Sequence, residues 1–388
     1  MSLAADPTRS PVFIIGAGPA GMAVGACLQK AGISSTILEQ SDRVGASWHR
    51  HYERLHLHTD KDHSALPFLP FPREVPRYPS RKQVIDYLEA YTHHFHQNLR
   101  LGQRVVAARY GNGCWQVQTQ DTHYQAAFLV IAAGYNREPH LPQWPNQDSF
   151  QGRMLHSSQY TNGEGFQGQK VLVVGFGNSG GEIAIDLCEH GAEVSMAVRG
   201  PVNVIPREIL GIPILSIGIL QRKLPTAWAD ALNAPILRST IGDLEPYGLR
   251  RFPRGPLSQI HQDRRIPLID IGTLALIRQG RISIHPGIES FNQGEVYFKD
   301  GQYSKYDAVI LATGFKPKID GFLENAGAVL DENGTPSSSG QRTSMPGLYF
   351  CGYYTSPTGM LREIAMEARQ IARLISQQAH TETATGQS

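Results

Sequence analysis

Cysteine is scarce in this 388-residue chain. Its four copies, Cys27, Cys114, Cys188 and Cys351, stand far apart, and no Cys-x-x-Cys occurs. That spacing excludes a disulfide framework, a cysteine zinc site and a dithiol relay, and it fits a reducing, cytoplasmic compartment. Long basic blocks are missing too. The net charge is +2 and charged residues make up 18%, so nucleic-acid binding has no support. No apolar run reaches membrane-spanning length; the longest, Ile209 to Leu220, is broken by glycine and proline. The first residues lack the charged start and apolar run of a signal peptide. Histidine is plentiful, with His49, His51, His56, His58 and His63 close together and His93, His94 and His96 further on. No His-Glu-x-x-His or comparable ligand spacing appears among them, so no metal site is expected.

What the chain does have is glycine in two matching loops. Hydrophobic residues are 41% of the total, enough for two or three domains with their own cores. The first loop runs Gly16-Ala17-Gly18-Pro19-Ala20-Gly21 between an apolar segment, Val12 to Ile15, and a helical pattern ending at Gly32. A second apolar segment, Ser35 to Glu39, completes a strand–helix–strand unit. In that setting the first glycine allows the tight turn, the second lets backbone approach a pyrophosphate, and the third lets the helix pack closely. Glu39, followed by Gln40, is placed to accept hydrogen bonds from a ribose diol.

The second copy is Gly175-Phe176-Gly177-Asn178-Ser179-Gly180, with a helix over Gly180 to His190 and a strand over Glu193 to Val198. Arg199 stands where the first unit has its acid. A guanidinium pairs with a 2′-phosphate that an acid would repel, so the second nucleotide reads as NADPH. Each unit is followed by a strand ending in a small-residue turn, at Ala132-Ala133-Gly134 and at Ala312-Thr313-Gly314. A last strand ends at Gly352, and a helix from about Gly359 to Ser376 packs back on the first domain. The fold expected is α/β with two Rossmann-like domains, the second inserted in the first. The first spans 10–162 and 317–380, the second 163–316. The tail from Gln377 is polar and is expected to be disordered, with 381–388 outside both domains.

Between the loops lies Phe150-x-Gly152-x-x-x-His156-x-x-x-Tyr160. This segment resembles the fingerprint of the class B flavin-dependent monooxygenases at every fixed position. Ala312-Thr313-Gly314-Phe315 is similar to that family's Ala-Thr-Gly-Tyr linker. Within the family the chain looks most like the YUCCA type. Similar stretches are Arg54 to His58, Tyr78-Pro79-Ser80, Val204 to Glu208 and Pro267 to Gly272. The resemblance implies a glutathione-reductase-like flavoprotein that holds FAD at the first loop and NADPH at the second. Its partners would be dioxygen and a small apolar substrate, foremost a 2-oxo acid such as indole-3-pyruvate, decarboxylated through a flavin C4a-(hydro)peroxide. S- or N-oxygenation, Baeyer–Villiger chemistry, an NADPH oxidase or flavin reductase without oxygen insertion, and a nucleotide sensor are the alternatives.

His58 and Asn178 are the catalytic candidates; the resemblance implies that NADP⁺ stays bound, with Asn178 and Ser179 helping to hold it. His58 replaces the asparagine that amine- and sulfide-oxidising relatives carry; it fits either a strand histidine, alternating with His56, or a tuner of flavin chemistry. Trp48 fits either core packing or a place beside the flavin. His156 is expected to be structural, at the domain junction. The Ile-, Leu- and Pro-rich stretch from Ile209 to Ala234 is expected to form irregular helices near a pocket or interface, with peripheral membrane contact through 209–234 open. Oligomeric state is not legible.

Overall fold

A computed structural model describes residues 8–385. The strands that carry the fold are short, unbroken apolar runs. Val12–Ile15, Phe128–Ile131 and Ala308–Leu311 are buried at every position. Runs of this kind have no polar face to turn to water, so they sit inside parallel sheets covered on both sides.

Two five-stranded parallel sheets result. The first has the order Leu348–Phe350, Phe128–Ile131, Val12–Ile15, Ser35–Leu38, Leu99–Arg100. The second has the order Ile282–Pro286, Glu193–Val198, Lys170–Val174, Ala308–Leu311, Arg153–His156. In each sheet the strand before a glycine loop sits between the strand after it and the strand that ends in a small-residue turn. The strand order reverses at that strand, which opens a crevice at the carboxyl ends. Each unit also carries a three-stranded antiparallel meander, Val105–Gly111 with Cys114–Thr119 and His123–Ala126, and Ile288–Asn292 with Glu295–Phe298 and Tyr303–Lys305. The crossing chains pair as Glu138–Pro139 against Phe315–Lys316.

Helix Met360–Thr385 lies on helix Pro19–Lys30. Ile364, Ala368, Ile371 and Ile375 repeat at helical spacing and are buried in the same cluster as Ala23 and Val24. Each isoleucine buried this way contributes roughly 1.5–3 kcal/mol, which is what ties the C-terminus to the first unit.

Four expectations need correction. The second sheet starts before residue 163, because Arg153–His156 pairs with Ala308–Leu311 and not with the first unit. The terminal helix continues past Ser376 to Thr385; Gln and Ala are good helix formers, and polarity without Gly or Pro does not end a helix. Residues 386–388 lie outside the described residues. His56 and His58 are not strand neighbours: His56 makes one isolated bridge to Ser80 and His58 none. Finally, Ile214–Gln221 and Thr226–Ile241 are regular helices, the second containing Pro235.

Candidate active site

The two glycine loops are built alike. Gly16 and Gly175 have φ of +106° and +117°, and a Cβ there would meet the Ala132 and Ala312 carbonyl oxygens at 2.5 and 2.4 Å. Gly21 and Gly180 each face the carbonyl of the loop's first glycine, where a Cβ would come within 1.9 and 2.5 Å. These four positions exclude any side chain for reasons internal to the protein. Gly18 and Gly177 differ, since a Cβ on either would touch nothing. Both are the N-caps of twelve-residue helices without a side-chain cap. The free amides and helix dipole there suit an anionic phosphate.

Glu39 closes the first cradle. Its buried carboxylate accepts from the Ala17 amide at 2.8 Å and from Ser41 at 2.9 Å. The acid therefore braces the loop as well as facing the cavity. That cavity has a volume of about 450 Å³ and borders Gly16, Gly18, Pro19, Ala20, Glu39 and Gln40 at one end. It passes Trp48, His51, His56, His58, Gly134, Asn178 and Gly352, then opens into a chamber walled by Ile205, Ile209, Leu215, Leu237, Ile260 and Ile269. The cradle and cavity fit a dinucleotide carrying a ring system toward an apolar chamber. Helices Ile214–Gln221 and Thr226–Ile241 form part of that wall, while Leu220, Trp228 and Leu232 of the same helices face outward and are exposed.

The polar groups of this cavity have distinct roles. Burial, reinforced by Arg81 and Arg50, lowers the His51 imidazole to about 4, so it is neutral at physiological pH. His56 Nδ1 lies 2.7 Å from the Arg54 carbonyl and is occupied by backbone. Asn178 Oδ1 accepts from the Ile269 amide at 2.7 Å, tying the second loop to a chamber wall. Nε2 of His58 stands 2.8 Å from Oε1 of Glu182, a residue that sequence reasoning passed over. Trp48 both packs on the first core and borders the cavity.

The other predicted residues lie away from this space. Gly175, Gly177, Ser179 and Gly180 form the second cradle. Arg199 is exposed just past strand Glu193–Val198. Burial first, then the charges of Lys316 and Arg199, hold the His140 imidazole below its usual range. Lys316 thus joins Arg199 in one positive field; only the pairing of the crossing chains brings it there. Thr313 donates to the His140 carbonyl, and Gly314 O accepts from His140 N at 2.9 Å. Both residues shape the crossing and do not border the cavity.

Each fixed position of the Phe150–Tyr160 segment has a structural task. The Phe150 ring packs edge-on to Phe291, with centroids 5.6 Å apart. Gly152 lets the chain pass the Asp307 carbonyl, which a Cβ would meet at 2.5 Å. His156 Nε2 must be the donor to Gly314 O, 3.0 Å away, because a carbonyl only accepts; Nδ1 then accepts from Ser158 N at 3.1 Å. Tyr160 donates to Asp186 of the second loop's helix at 2.6 Å in a buried contact. The segment braces the second unit and its crossing, and His156 is structural.

Cys27, Cys188 and Cys351 are free, buried thiols. Burial raises Cys27 to about 12 and Cys188 to about 11, and holds Cys351 well above the usual range. Among the described residues no cluster suited to a metal and no membrane-crossing helix occurs.

Comparison with known proteins agrees with this architecture. The pyridine nucleotide-disulphide oxidoreductase family pattern matches residues 13–207. Indole-3-pyruvate monooxygenase YUCCA1 of Oryza sativa subsp. japonica is 40% identical over 83% of this chain and 80% of its own. Probable indole-3-pyruvate monooxygenase YUCCA1 of Arabidopsis thaliana is 39% identical over 88% and 84%. In fold, a flavin-containing monooxygenase from Stenotrophomonas maltophilia gives a TM-score of 0.73 at 22% identity, covering 96% of this chain and 99% of that one. Bacillithiol disulfide reductase from Bacillus cereus gives 0.68 at 19%, covering 95% and 99%. The chain belongs to the flavin-dependent monooxygenases, in the YUCCA-type family of these oxidoreductases.

Proposed function

We propose that this enzyme is an NADPH- and O2-dependent monooxygenase that oxidatively decarboxylates a small apolar 2-oxo acid of the indole-3-pyruvate kind. The observation that carries the reading is the continuous cavity. It joins the first dinucleotide cradle to an isoleucine- and leucine-walled chamber, the apolar lining that a small ligand site has. The relatives named above supply the substrate class.

FAD bound in the first cradle supplies the dioxygen chemistry, once reduced by NADPH. The protein's own residues supply the setting. Amides at the start of helix Pro19–Lys30 face the pyrophosphate, and Glu39 faces the ribose. The second cradle, with Arg199 and Lys316, holds NADPH through its 2′-phosphate. His58 stands on the cavity wall as a candidate proton acceptor or donor, while Asn178 links the second loop to the chamber through Ile269. Apolar side chains keep water from the reacting groups. We place the FAD-binding unit at about 10–150 and 317–380, with the NADPH-binding unit between. Its working compartment is the cytoplasm.

The test measures substrate-dependent NADPH consumption with 2-oxo acids, sulfides and amines, together with hydrogen peroxide. Coupled oxidation of an aryl 2-oxo acid to the acid one carbon shorter is expected. NADPH consumption that yields only peroxide with every substrate would instead make the protein an oxidase.

A further inference from the structure

Glu182 is an unusual residue to find where it lies. It sits early in helix Asn178–Glu189, directly behind the second glycine loop, and is 1% exposed. Its neighbours Ile183, Ala184 and Ile185 are buried and apolar. Neither carboxylate oxygen has a well-aligned hydrogen-bond partner; the Tyr52 hydroxyl is beside it, and among the described residues its one ion-pair contact is His58. The 2.8 Å between Nε2 and Oε1 is short, but the atoms are poorly aligned for a hydrogen bond. A carboxylate costs stability here that a leucine would not, so its presence asks for a function.

The groups around the pair can be named. Tyr52 lies on the same incoming segment as His58; burial holds its phenol well above the usual range, with Glu182 adding to this and Ser179 opposing it. Arg54, on that segment, is paired with Glu189 at the far end of the helix. Among the described residues no arginine or lysine forms an ion pair with Glu182. The Nε2 edge of His58 is fully buried against the carboxylate, while the residue borders the cavity. Nδ1 is the nitrogen left to face it.

We propose that Glu182 is the positioning residue of His58. Its carboxylate accepts the Nε2 proton, fixes that tautomer, and presents Nδ1 to the cavity as an acceptor. The pair crosses from the first unit to the helix whose N-terminus forms the second nucleotide cradle, so nucleotide binding there is felt at the cavity imidazole. The inference rests on the proposed function for its catalytic meaning, but its geometry is testable without turnover.

The test uses the full-length holoprotein with 15N-labelled histidine, and two-bond proton–nitrogen correlations to read each ring's tautomer. His58→Asn identifies the His58 signal. Wild type is expected to show a protonated Nε2 and a bare Nδ1, with the signal shifting on addition of NADP⁺. Glu182→Leu removes the acceptor and should give mixed tautomers; Glu182→Gln keeps an acceptor and should restore the wild-type pattern. Steady-state kinetics should show kcat falling about tenfold in Glu182→Leu, a modest part of what a positioned acid–base group is worth. KM for NADPH should stay within about twofold, and the double variant with His58→Asn should be no worse than His58→Asn alone. Should Glu182→Leu fail to fold, Glu182→Met fills the same space without an acceptor. An unchanged His58 pattern in the leucine or methionine variant, or a glutamine variant that shifts as far as either, overturns the proposal. If the proposed reaction alone is wrong, the ring pattern still responds while no substrate couples to NADPH use.

Discussion

Glu367 offers a quantitative test of how the C-terminal helix is held on the first unit. It is 7% exposed. One carboxylate oxygen accepts from the Gly352 amide at 2.6 Å and from Ser339 Oγ at 2.9 Å, while the other has no partner. Glu363 stands one turn earlier on the same helix, itself buried and bonded to Ser356. Across the gap is Cys351, whose thiol stays protonated. Burial is the main cause that raises Glu367 from 4.5 to about 7, outweighing hydrogen bonds from Gly352, Ser339 and Cys351; Glu363 adds to the rise. A carboxyl raised on folding binds more protons folded than unfolded between those two values. Its contribution is therefore most favourable below about 4.5 and is lost as pH rises to about 7. The shift corresponds to about 3 kcal/mol across that window. Glu367→Gln removes the titration and keeps an acceptor for Gly352. Urea unfolding of both proteins at pH 5 and pH 8 reads the difference. The variant should gain about 3 kcal/mol on wild type between the two pH values. A stability difference that is the same at both would refute the argument.

Further substitutions separate the cradles. Arg199→Ala and Lys316→Ala should each raise KM for NADPH by about 10- to 100-fold, the value of one or two charge-assisted contacts, and leave NADH nearly unaffected. Equal effects on both nucleotides would count against a 2′-phosphate site, and the His140 imidazole should titrate higher in either variant because a repelling charge has gone. Gly21→Ala and Gly18→Ala should part company. The first drives a methyl into the Gly16 carbonyl and should lower stability by more than about 2 kcal/mol. The second meets open space, so it should fold normally and lose affinity for FAD, as measured by flavin fluorescence on titration of the apoprotein.

Much of the site was legible because its constraints act within a few residues. A positive φ, a Cβ that would strike the loop's own carbonyl, and an acid at the end of the next strand are all local. They show as fixed residue types at fixed spacing in Gly16 to Glu39, and the glycines again in Gly175 to Gly180, where Arg199 takes the place of the acid. The Phe150–Tyr160 pattern was legible as a pattern, but its cause was not. Its four residues contact Phe291, Asp307, Gly314 and Asp186, none of them near in sequence. The reach of the last helix was misjudged because composition alone carries no stop signal. The strand character expected of His56 and His58 came from alternation that no sheet accepts.

The sequence by itself determined two glycine-loop cradles, one followed by an acid and one by an arginine, and pointed away from a dithiol relay, since turn sterics, helix dipoles and cysteine spacing are properties of short segments. Tertiary structure decided what those cradles face. Pairing of the crossing chains brought Lys316 to Arg199. Packing of two apolar helices, the second of them against Pro256–Asp263 and Val204–Pro206, made the chamber. Docking of the 52–58 segment on the second helix set His58 against Glu182. Each of these depends on burying apolar surface contributed by distant parts of the chain, and a contact of that kind leaves no spacing in the sequence to read.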